Sequence, residues 1–210
     1  MSWDLRFQQE YLRRLKGQLR DSQLGAGSFS INQINEDVDR LIAEYSDLIK
    51  DEKTHPHLRL ASAVHASYQS LCPHVVNHEG AIDLAERAFV SVGSTMLTLY
   101  TKVLLLFSRD PFHAIPHAGK KRFDEQYGNA WDYRMEETPI SISMIVTKCF
   151  YHDFFTAVQI PDLTRVFCKW DSNWIDPIDP DKHGIFFERP TTLGYGGEEC
   201  QFLFTRVEMG

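Results

Sequence analysis

Residues 131–149 read WDYRMEETPISISMIVTKC, and within this stretch the period of the apolar residues changes to two. Apolar and polar residues alternate on both sides of segment 136–139, which has the composition of a turn. A period of two is typical of a strand with one buried face, so the stretch predicts a β-hairpin. The alternating apolar positions are Trp131, Tyr133, Met135, Ile140, Ile142, Met144 and Val146.

A second pair of strands is predicted near the end of the sequence. Residues 191–207 read TTLGYGGEECQFLFTRV, and Cys200, Phe202 and Phe204 occupy every second position after a glycine-rich turn. We therefore expect 185–193 and 200–207 to form another hairpin. Between the two hairpins, 153–158 and 162–174 have the pattern of two short helices separated by Pro161.

The first half of the sequence has the apolar spacing of helices. Residues 111–128 have no clear pattern and are predicted to be irregular. Helices followed by antiparallel strands predict an α+β fold, in which a helical region (1–128) packs on a sheet region of about four strands (129–210) within one domain. The predicted helices run from Ser2 to the glycine cluster at 25–28, from Asn35 to Asp51, between Pro56 and Pro73, and from Asn77 to Phe107 with a bend near Gly93.

Composition and charge disfavour several classes of protein. The 210 residues are 43% hydrophobic and 24% charged, which is ordinary for a globular domain, and the net charge is −7. An acidic chain is a poor partner for nucleic acid or an anionic membrane. The longest apolar run, 96–107, is interrupted by Lys102 and is shorter than the ~20 residues of a membrane span. The N-terminus lacks the apolar core of a signal peptide. With four widely spaced cysteines, these features predict a cytoplasmic protein with reduced thiols.

Cysteine, histidine and aspartate recur in the second half where strands meet helices. Cys149 ends a predicted strand and His152 follows at a C-x2-H spacing, while Cys168 and Asp171 share one helix face. With Cys200, these side chains suit either a zinc-like metal or a thiolate nucleophile with an acid/base partner. A cysteine that only fills the core is the alternative for each thiol alone. No second pair has zinc-finger spacing, so we favour a pocket for a small substrate.

Other polar clusters suggest no metal site and no nucleotide cofactor. His113 and His117 are separated by Pro116, which disfavours a regular helical metal pair. Glu198 and Glu199 supply either a general base or a solvated loop. No glycine loop of the G-x-G-x-x-G kind follows a predicted strand, so no cofactor is expected. Most histidines of the first half are placed at helix ends, where capping or solvation is the simplest role; they are His55, His57, His65, His74 and His78.

Three segments of the second half carry an ordered set of motifs. They read TKCFYHDFF (147–155), PDLTRVFCKWD (161–171) and FERPTTLGYGGEECQFLF (187–204). In this order and spacing they resemble the L-2-amino-thiazoline-4-carboxylic acid hydrolase family. The resemblance is specific over 131–206, and the helical half is similar only in layout. It transfers the family-pattern positions Cys149, Cys168, Asp171, Thr192, Gly197, Cys200, Phe202 and Phe204.

The resemblance also implies roles for individual residues. The three cysteines of the pattern would line the pocket, with Asp171 or His152 as the base. Arg165 or Arg189 would hold an acidic substrate, since guanidinium pairs bidentately with carboxylate. Thr192 and Glu199 complete the expected substrate-binding set. Two residues depart from the family pattern: Gln201 stands where members have aspartate, and Pro190 replaces the first threonine.

The implied reaction is attack by water on the C2 carbon of a thiazoline, which opens the ring to N-carbamoyl-cysteine. Such chemistry needs a base, a proton donor for the leaving thiolate and a clamp for the carboxylate. Another small nitrogen- or sulfur-containing heterocycle, acted on in a biosynthetic pathway, is left open as the substrate. The Gly-x-x-Cys-x-Phe ending is also similar to non-catalytic small-molecule-binding domains of the 4-vinyl-reductase type. An interaction scaffold is a third interpretation.

Overall fold

The first half of the chain is helical, and residues 111–128, which were predicted to be irregular, are helical too. The computed structural model describes residues 2–21 and 29–207. The glycine cluster at 25–28, predicted to end the first helix, lies outside the described residues. The helices of this half are α1 (Trp3–Asp21), α2 (Ile31–Glu44), α3 (Thr54–Leu71), α4 (His78–Ser91), α5 (Ser94–Phe107) and α6 (Pro111–Gln126).

Capping residues set the ends of α2, α4 and α5. The Ser30 hydroxyl accepts a hydrogen bond from the Gln33 N–H, so α2 begins four residues before the predicted Asn35, and it ends at Glu44 instead of Asp51. Asn77 caps α4 in the same way. Gly93 has a φ of 69°, which separates α4 from α5 where the bend was predicted. The two helices are bent by 54° relative to each other.

Helix α6 forms although it contains Pro116. Proline has no N–H, so the helix loses the hydrogen bond to the carbonyl of Phe112. Phe112 and Ile115 are nevertheless buried, and Pro111 occupies the first turn, where the missing N–H costs little. The prediction of an irregular segment was wrong because packing of one apolar face outweighs the single lost bond.

The second half contains the predicted antiparallel sheet. Its strands are β1 (Asp132–Glu137), β2 (Ser141–Lys148), β3 (Ile185–Glu188) and β4 (Cys200–Arg206), in the order β1-β2-β4-β3. All three strand pairs are antiparallel, which confirms the α+β class and the four strands. Because β4 lies between β2 and β3, Cys200 pairs with Val146, three residues before Cys149.

The segment between β2 and β3 is more divided than predicted. Its helices are α7 (Phe150–Ala157), α8 (Thr164–Trp170), α9 (Ser172–Ile175) and α10 (Pro180–His183). The predicted helix 162–174 is therefore split at Asp171, and α7 begins at Phe150 instead of Asp153. Strand β3 ends at Glu188, before Pro190, instead of extending to residue 193, because proline cannot donate to a ladder.

Helices cover one face of the sheet. Phe202 and Phe204 of β4 and Phe187 of β3 pack against Trp174 of α9. Buried residues of both halves form one cluster, in which α8 also packs on α4 and α7 packs on α3. Among the described residues, no single helix has the length and apolarity to cross a membrane; α4 and α5 meet that test only as a bent pair.

Candidate functional site

A cleft of about 730 Å³ opens between helices α8 and α9 and the connection from β3 to β4. Helix α9 packs on the sheet through Trp174. The connection from β3 to β4 contacts α8 and turns at Gly196 and Gly197. The cleft has the volume of a small-molecule site. It is lined by Cys168, Lys169, Ser172, Ile175, Asp176, Phe187, Arg189, Pro190, Thr191, Thr192, Tyr195, Gly196 and Gly197.

Two thiols meet at one side of this cleft. Cys168 of α8 lines it, and Cys200, the first residue of β4, is buried next to Cys168. The hydrogen bond from the Cys168 thiol lowers the pKa of Cys200 to about 7, against the effect of burial. The Leu193 N–H, 3.3 Å from the Cys200 Sγ, and the Arg189 cation lower it further. The same hydrogen bond, together with burial, raises the pKa of Cys168 well above its usual range. These contacts favour the charged form of Cys200 over that of Cys168.

The glycine turn is needed for this arrangement. A Cβ at Gly194 would lie 2.9 Å from the Cys168 Sγ and 3.3 Å from the Arg165 backbone nitrogen. A side chain at this position would push α8 and its thiol away from the turn. Gly194 therefore allows the connection between β3 and β4 to approach the cysteine pair closely.

Arg189, which lines the cleft, forms an ion pair with Asp171. The Arg189 Nη1 donates to the Asp171 carboxylate at 3.2 Å and to the Cys168 carbonyl at 2.9 Å. The second Asp171 oxygen accepts from the Trp174 indole at 3.1 Å. Burial raises the pKa of Asp171, although the Arg189 charge and the indole oppose the change. The guanidinium lies 4.4 Å above the centre of the Phe202 ring, and its buried Nε has no hydrogen-bond partner among the described residues.

Cys149 and His152 lie behind the cleft instead of lining it. Burial raises the pKa of Cys149 to about 12, although the N–H groups of His152 and Tyr151 and the Trp131 indole oppose this change. Cys149 follows β2, whose Val146, three residues earlier, pairs with Cys200. The Nδ1 atom of His152 is buried without a hydrogen-bond partner among the described residues. Cys72 is exposed at the end of α3.

The expected substrate-binding residues separate into two groups. Arg189 and Thr192 line the cleft. Arg165 donates to both oxygens of Glu79 at 2.9 and 3.0 Å, and the Glu199 carboxylate pairs with Arg134 at 3.4 Å. Neither Arg165 nor Glu199 is among the residues that line the cleft.

The two departures from the family pattern occupy different places. Alternate residues of a strand point to opposite faces, so Gln201 lies on the other face of β4 from Cys200. Its amide donates to the Ser143 hydroxyl at 3.2 Å. Pro190 lines the cleft. The change from aspartate to glutamine therefore leaves the composition of the cleft unaltered.

Sequence reasoning missed a buried polar group next to this region. His57 was placed at a helix end but is buried, with its Nδ1 2.5 Å from the Tyr151 hydroxyl and its Nε2 3.1 Å from the Gln126 carbonyl. Burial lowers its pKa to about 4. The Tyr151 ring stacks on the ring of Phe167, the residue before Cys168, with 3.7 Å between ring centres, so this group packs against α8. Helix α3 is buried on almost all sides, so its sequence has no amphipathic stripe that would distinguish a buried histidine from an exposed one.

The described residues contain one histidine and carboxylate group with the spacing of metal ligands. His78, Glu79 and Asp162 offer atoms within 4.8 Å of one another, and all three are exposed. Arg165 already binds Glu79, and the group adjoins the N-terminus of α4, whose dipole repels cations. This environment opposes a cation.

One family model matches more than half of the chain. A family model described as L-2-amino-thiazoline-4-carboxylic acid hydrolase matches residues 57–204. No curated protein matches the chain significantly. An Fe(II) unliganded H-NOX protein from K. algicida is 13% identical, with a TM-score of 0.31 over 94% of this chain and 95% of that chain. An H-NOX protein mutant from S. oneidensis in the Fe(II) ligation state is 12% identical, with a TM-score of 0.33 over 85% and 97%. Likeness at this level supports no statement about ligands.

Proposed function

The chain belongs to the L-2-amino-thiazoline-4-carboxylic acid hydrolase family, and on that premise we propose that it hydrolyses a cyclic amidine such as a 2-amino-thiazoline carboxylic acid. One observation carries the proposal. Cys168 lines the cleft and Cys200 is buried beside it, where the Leu193 N–H, 3.3 Å from the Cys200 Sγ, and the Arg189 cation favour its charged form. A nucleophile in contact with its own base is the arrangement that covalent catalysis requires.

The first chemical step uses the shared proton of the two sulfurs. The Cys200 thiolate takes the proton of Cys168 while the Cys168 sulfur forms a bond to C2 of the ring. The bond between C2 and the ring sulfur then breaks, and the leaving sulfur receives the proton from Cys200. The product of this step is an isothiourea on Cys168, a free thiol on the opened substrate and a Cys200 thiolate. Atoms and charge balance without a metal or an oxidant.

Water completes the reaction in the second step. The Cys200 thiolate removes one proton from water as the water oxygen bonds to C2. The bond between C2 and Cys168 breaks, Cys168 regains its proton from Cys200, and the second water proton stays on the former ring nitrogen. The released product is a urea with a free thiol, which is N-carbamoyl-cysteine for the thiazoline acid. The thiol pair returns to its starting state.

Arg189 is the best-supported clamp for the substrate carboxylate. It lines the cleft, and a guanidinium pairs bidentately with a carboxylate. Asp171 is engaged through both oxygens by Arg189 and Trp174, which suits a positioning role for the guanidinium better than removal of a proton from water. Thr192 adds a hydroxyl on the same wall.

The test is turnover of 2-amino-thiazoline-4-carboxylate by the purified protein, followed by release of a free thiol and by the mass of the product. We expect Cys168→Ser and Cys200→Ser each to lower kcat by roughly 100- to 10,000-fold, the range for loss of a key catalytic group. Cys72→Ser is the matched control, because Cys72 is exposed and apart from the cleft. Rapid quenching should also trap the adduct on Cys168 of the wild type.

Different failures of this test have different meanings. If the wild type turns over neither the thiazoline acid nor related cyclic amidines yet binds them, the non-catalytic binding domain becomes the better description. If it is active and the adduct is found on Cys200, the two thiols exchange roles. If both serine variants keep full activity, the cysteine pair has no part in the reaction and the proposed mechanism fails.

A further inference from the structure

Helix α5 exposes a row of large apolar side chains, which we name the α5 stripe. At ~100° per residue its members span an arc of about 120°. On the opposite side of the helix, Thr101 and Leu105 are buried, and α5 packs there against α6 and α9. The stripe consists of Met96, Leu99, Tyr100, Val103, Leu106 and Phe107, which are between 46% and 78% exposed.

The α5 stripe is too large to be incidental. Single exposed apolar residues are normal, but a contiguous patch on a monomer rarely exceeds about 600 Å². From their exposed fractions, the six side chains offer on the order of 700 Å², close to the ~800 Å² that each partner contributes to a standard interface. A surface of this kind normally has a partner.

We propose that the α5 stripe is the interface of a homodimer in which α5 packs against α5 of a second copy. Met96, Leu99, Val103 and Leu106 follow one another at spacings of three, four and three residues. This is the spacing of the seam between two packed helices, in which apolar positions recur every 3.5 residues. A two-fold axis near the middle of the stripe, between Leu99 and Val103, places the same stripe on both sides, as a closed symmetric dimer requires.

The chemistry of α5 favours a second copy over a lipid surface. A helix that lies in a membrane interface usually carries many lysine and arginine residues on its polar face. Helix α5 has a single charged residue, Lys102, at the edge of the stripe, and its other face is covered by protein. The net charge of −7 also opposes binding to anionic lipid.

The experiment is sedimentation velocity over a dilution series. We expect the wild type to be a dimer that dissociates on dilution. Val103→Lys and Val103→Glu should each weaken the dimer by about 30-fold or more, as for loss of a central contact residue. Because both copies of Val103 lie near the axis, an equimolar mixture of the two variants should associate more tightly than either variant alone. Val76→Lys is the control, since Val76 is fully exposed outside α5.

Several results would overturn the proposal. It fails if the wild type is a monomer at every concentration, or if both Val103 variants dimerise as well as the wild type. It also fails if a monomeric wild type binds phosphatidylcholine vesicles and Val103→Lys does not, because the stripe then faces lipid. Leu106→Lys provides a second variant, and circular dichroism checks that each variant is folded.

Discussion

Cys168 and Cys200 are identical side chains in contact, yet their pKa values move in opposite directions. The Cys168 thiol donates its hydrogen bond to Cys200, and the Leu193 N–H, 3.3 Å from the Cys200 Sγ, is a further donor to Cys200. A thiolate is stabilised by donors, so the negative charge belongs on Cys200. The division into base and nucleophile therefore follows the donors and the cation that face Cys200, one of which is a backbone N–H in the turn between β3 and β4.

This division predicts the pH dependence of the reaction. The active form contains the Cys200 thiolate, so kcat/KM should fall about tenfold per pH unit below a midpoint of about 7 and level off above it. The Arg189 cation lowers the pKa of Cys200, so Arg189→Gln should move the midpoint upward and raise KM for an acidic substrate. Arg134→Gln is the control, because Arg134 is exposed and pairs with Glu136 and Glu199. A profile that is flat around neutral pH, or an equal shift in the control, would contradict this assignment.

Local motifs in the sequence predicted candidate residues for the cleft, but they could not predict which of the charged residues form ion pairs elsewhere. The C-x2-D spacing of Cys168 and Asp171 and the alternation of β4 are local features, so they could be read from the sequence. The ion pairs that occupy Arg165 and Glu199 join residues 86 and 65 positions apart, which no local pattern encodes. The choice of Arg189 over Arg165 therefore needed the fold.

At the scale of elements, His57 and Tyr151 connect α3 to α7. The His57 Nε2 donates to the Gln126 carbonyl, so its Nδ1 accepts from the Tyr151 hydroxyl and the ring is neutral. Aromatic rings of Trp131 and Tyr127 surround the imidazole. A protonated ring here would lose the hydrogen bond to Tyr151 and leave a charge in an apolar cluster.

Acid should therefore destabilise the protein through His57. The pKa of His57 is about 4 in the folded state and 6.5 when unfolded, so the unfolded chain binds a proton that the native state excludes. The contribution of His57 to the free energy of unfolding is fully present above pH 6.5. It is lost as the pH drops towards 4, and the loss is roughly 3 kcal/mol at most. Urea unfolding across this range should show a smaller loss for His57→Gln than for the wild type. His55→Gln, at an exposed position of the same helix, should behave like the wild type. An equal loss in all three proteins would exclude His57 as the cause.

The accuracy of the predicted elements follows their periodicity. The strands were found because a period of two in residues 131–149 has no helical interpretation. Helix α6 was missed because Pro116 and scattered histidines obscured its apolar face. The start of α2 was missed because its cap, Ser30, precedes the first apolar residue of the predicted stripe. Tertiary burial decided the case of α6, because it outweighs local propensity, and the cap decided the start of α2.

At the scale of the whole molecule, the helical half and the sheet half share their contacts. Helix α6 packs on β2 and β4, and α7 and α8, which follow β2, pack on α3 and α4. The Asp51 carboxylate accepts hydrogen bonds from the N–H groups of both Thr54 and Asn129, which joins the start of α3 to the start of the sheet region. Neither half covers its own apolar face.

We therefore expect the chain to unfold in one cooperative transition. A cut between Gly128 and Asn129 separates α6 from β2 and β4, and α3 from α7, so the fragment 129–210 should lack fixed side-chain packing when it is expressed alone. In the intact chain its Phe150, Phe154 and Phe155 are each less than 3% exposed. A buried aromatic side chain removes ~150–250 Å² from water, and part of this area would be exposed in the fragment. Calorimetry of the intact chain should give equal calorimetric and van't Hoff enthalpies. Near-ultraviolet circular dichroism should show no fixed aromatic signal for the fragment, and mixing it with 1–128 should restore the signal. Two separate transitions, or a fragment that melts cooperatively, would mean that the sheet region is a domain of its own.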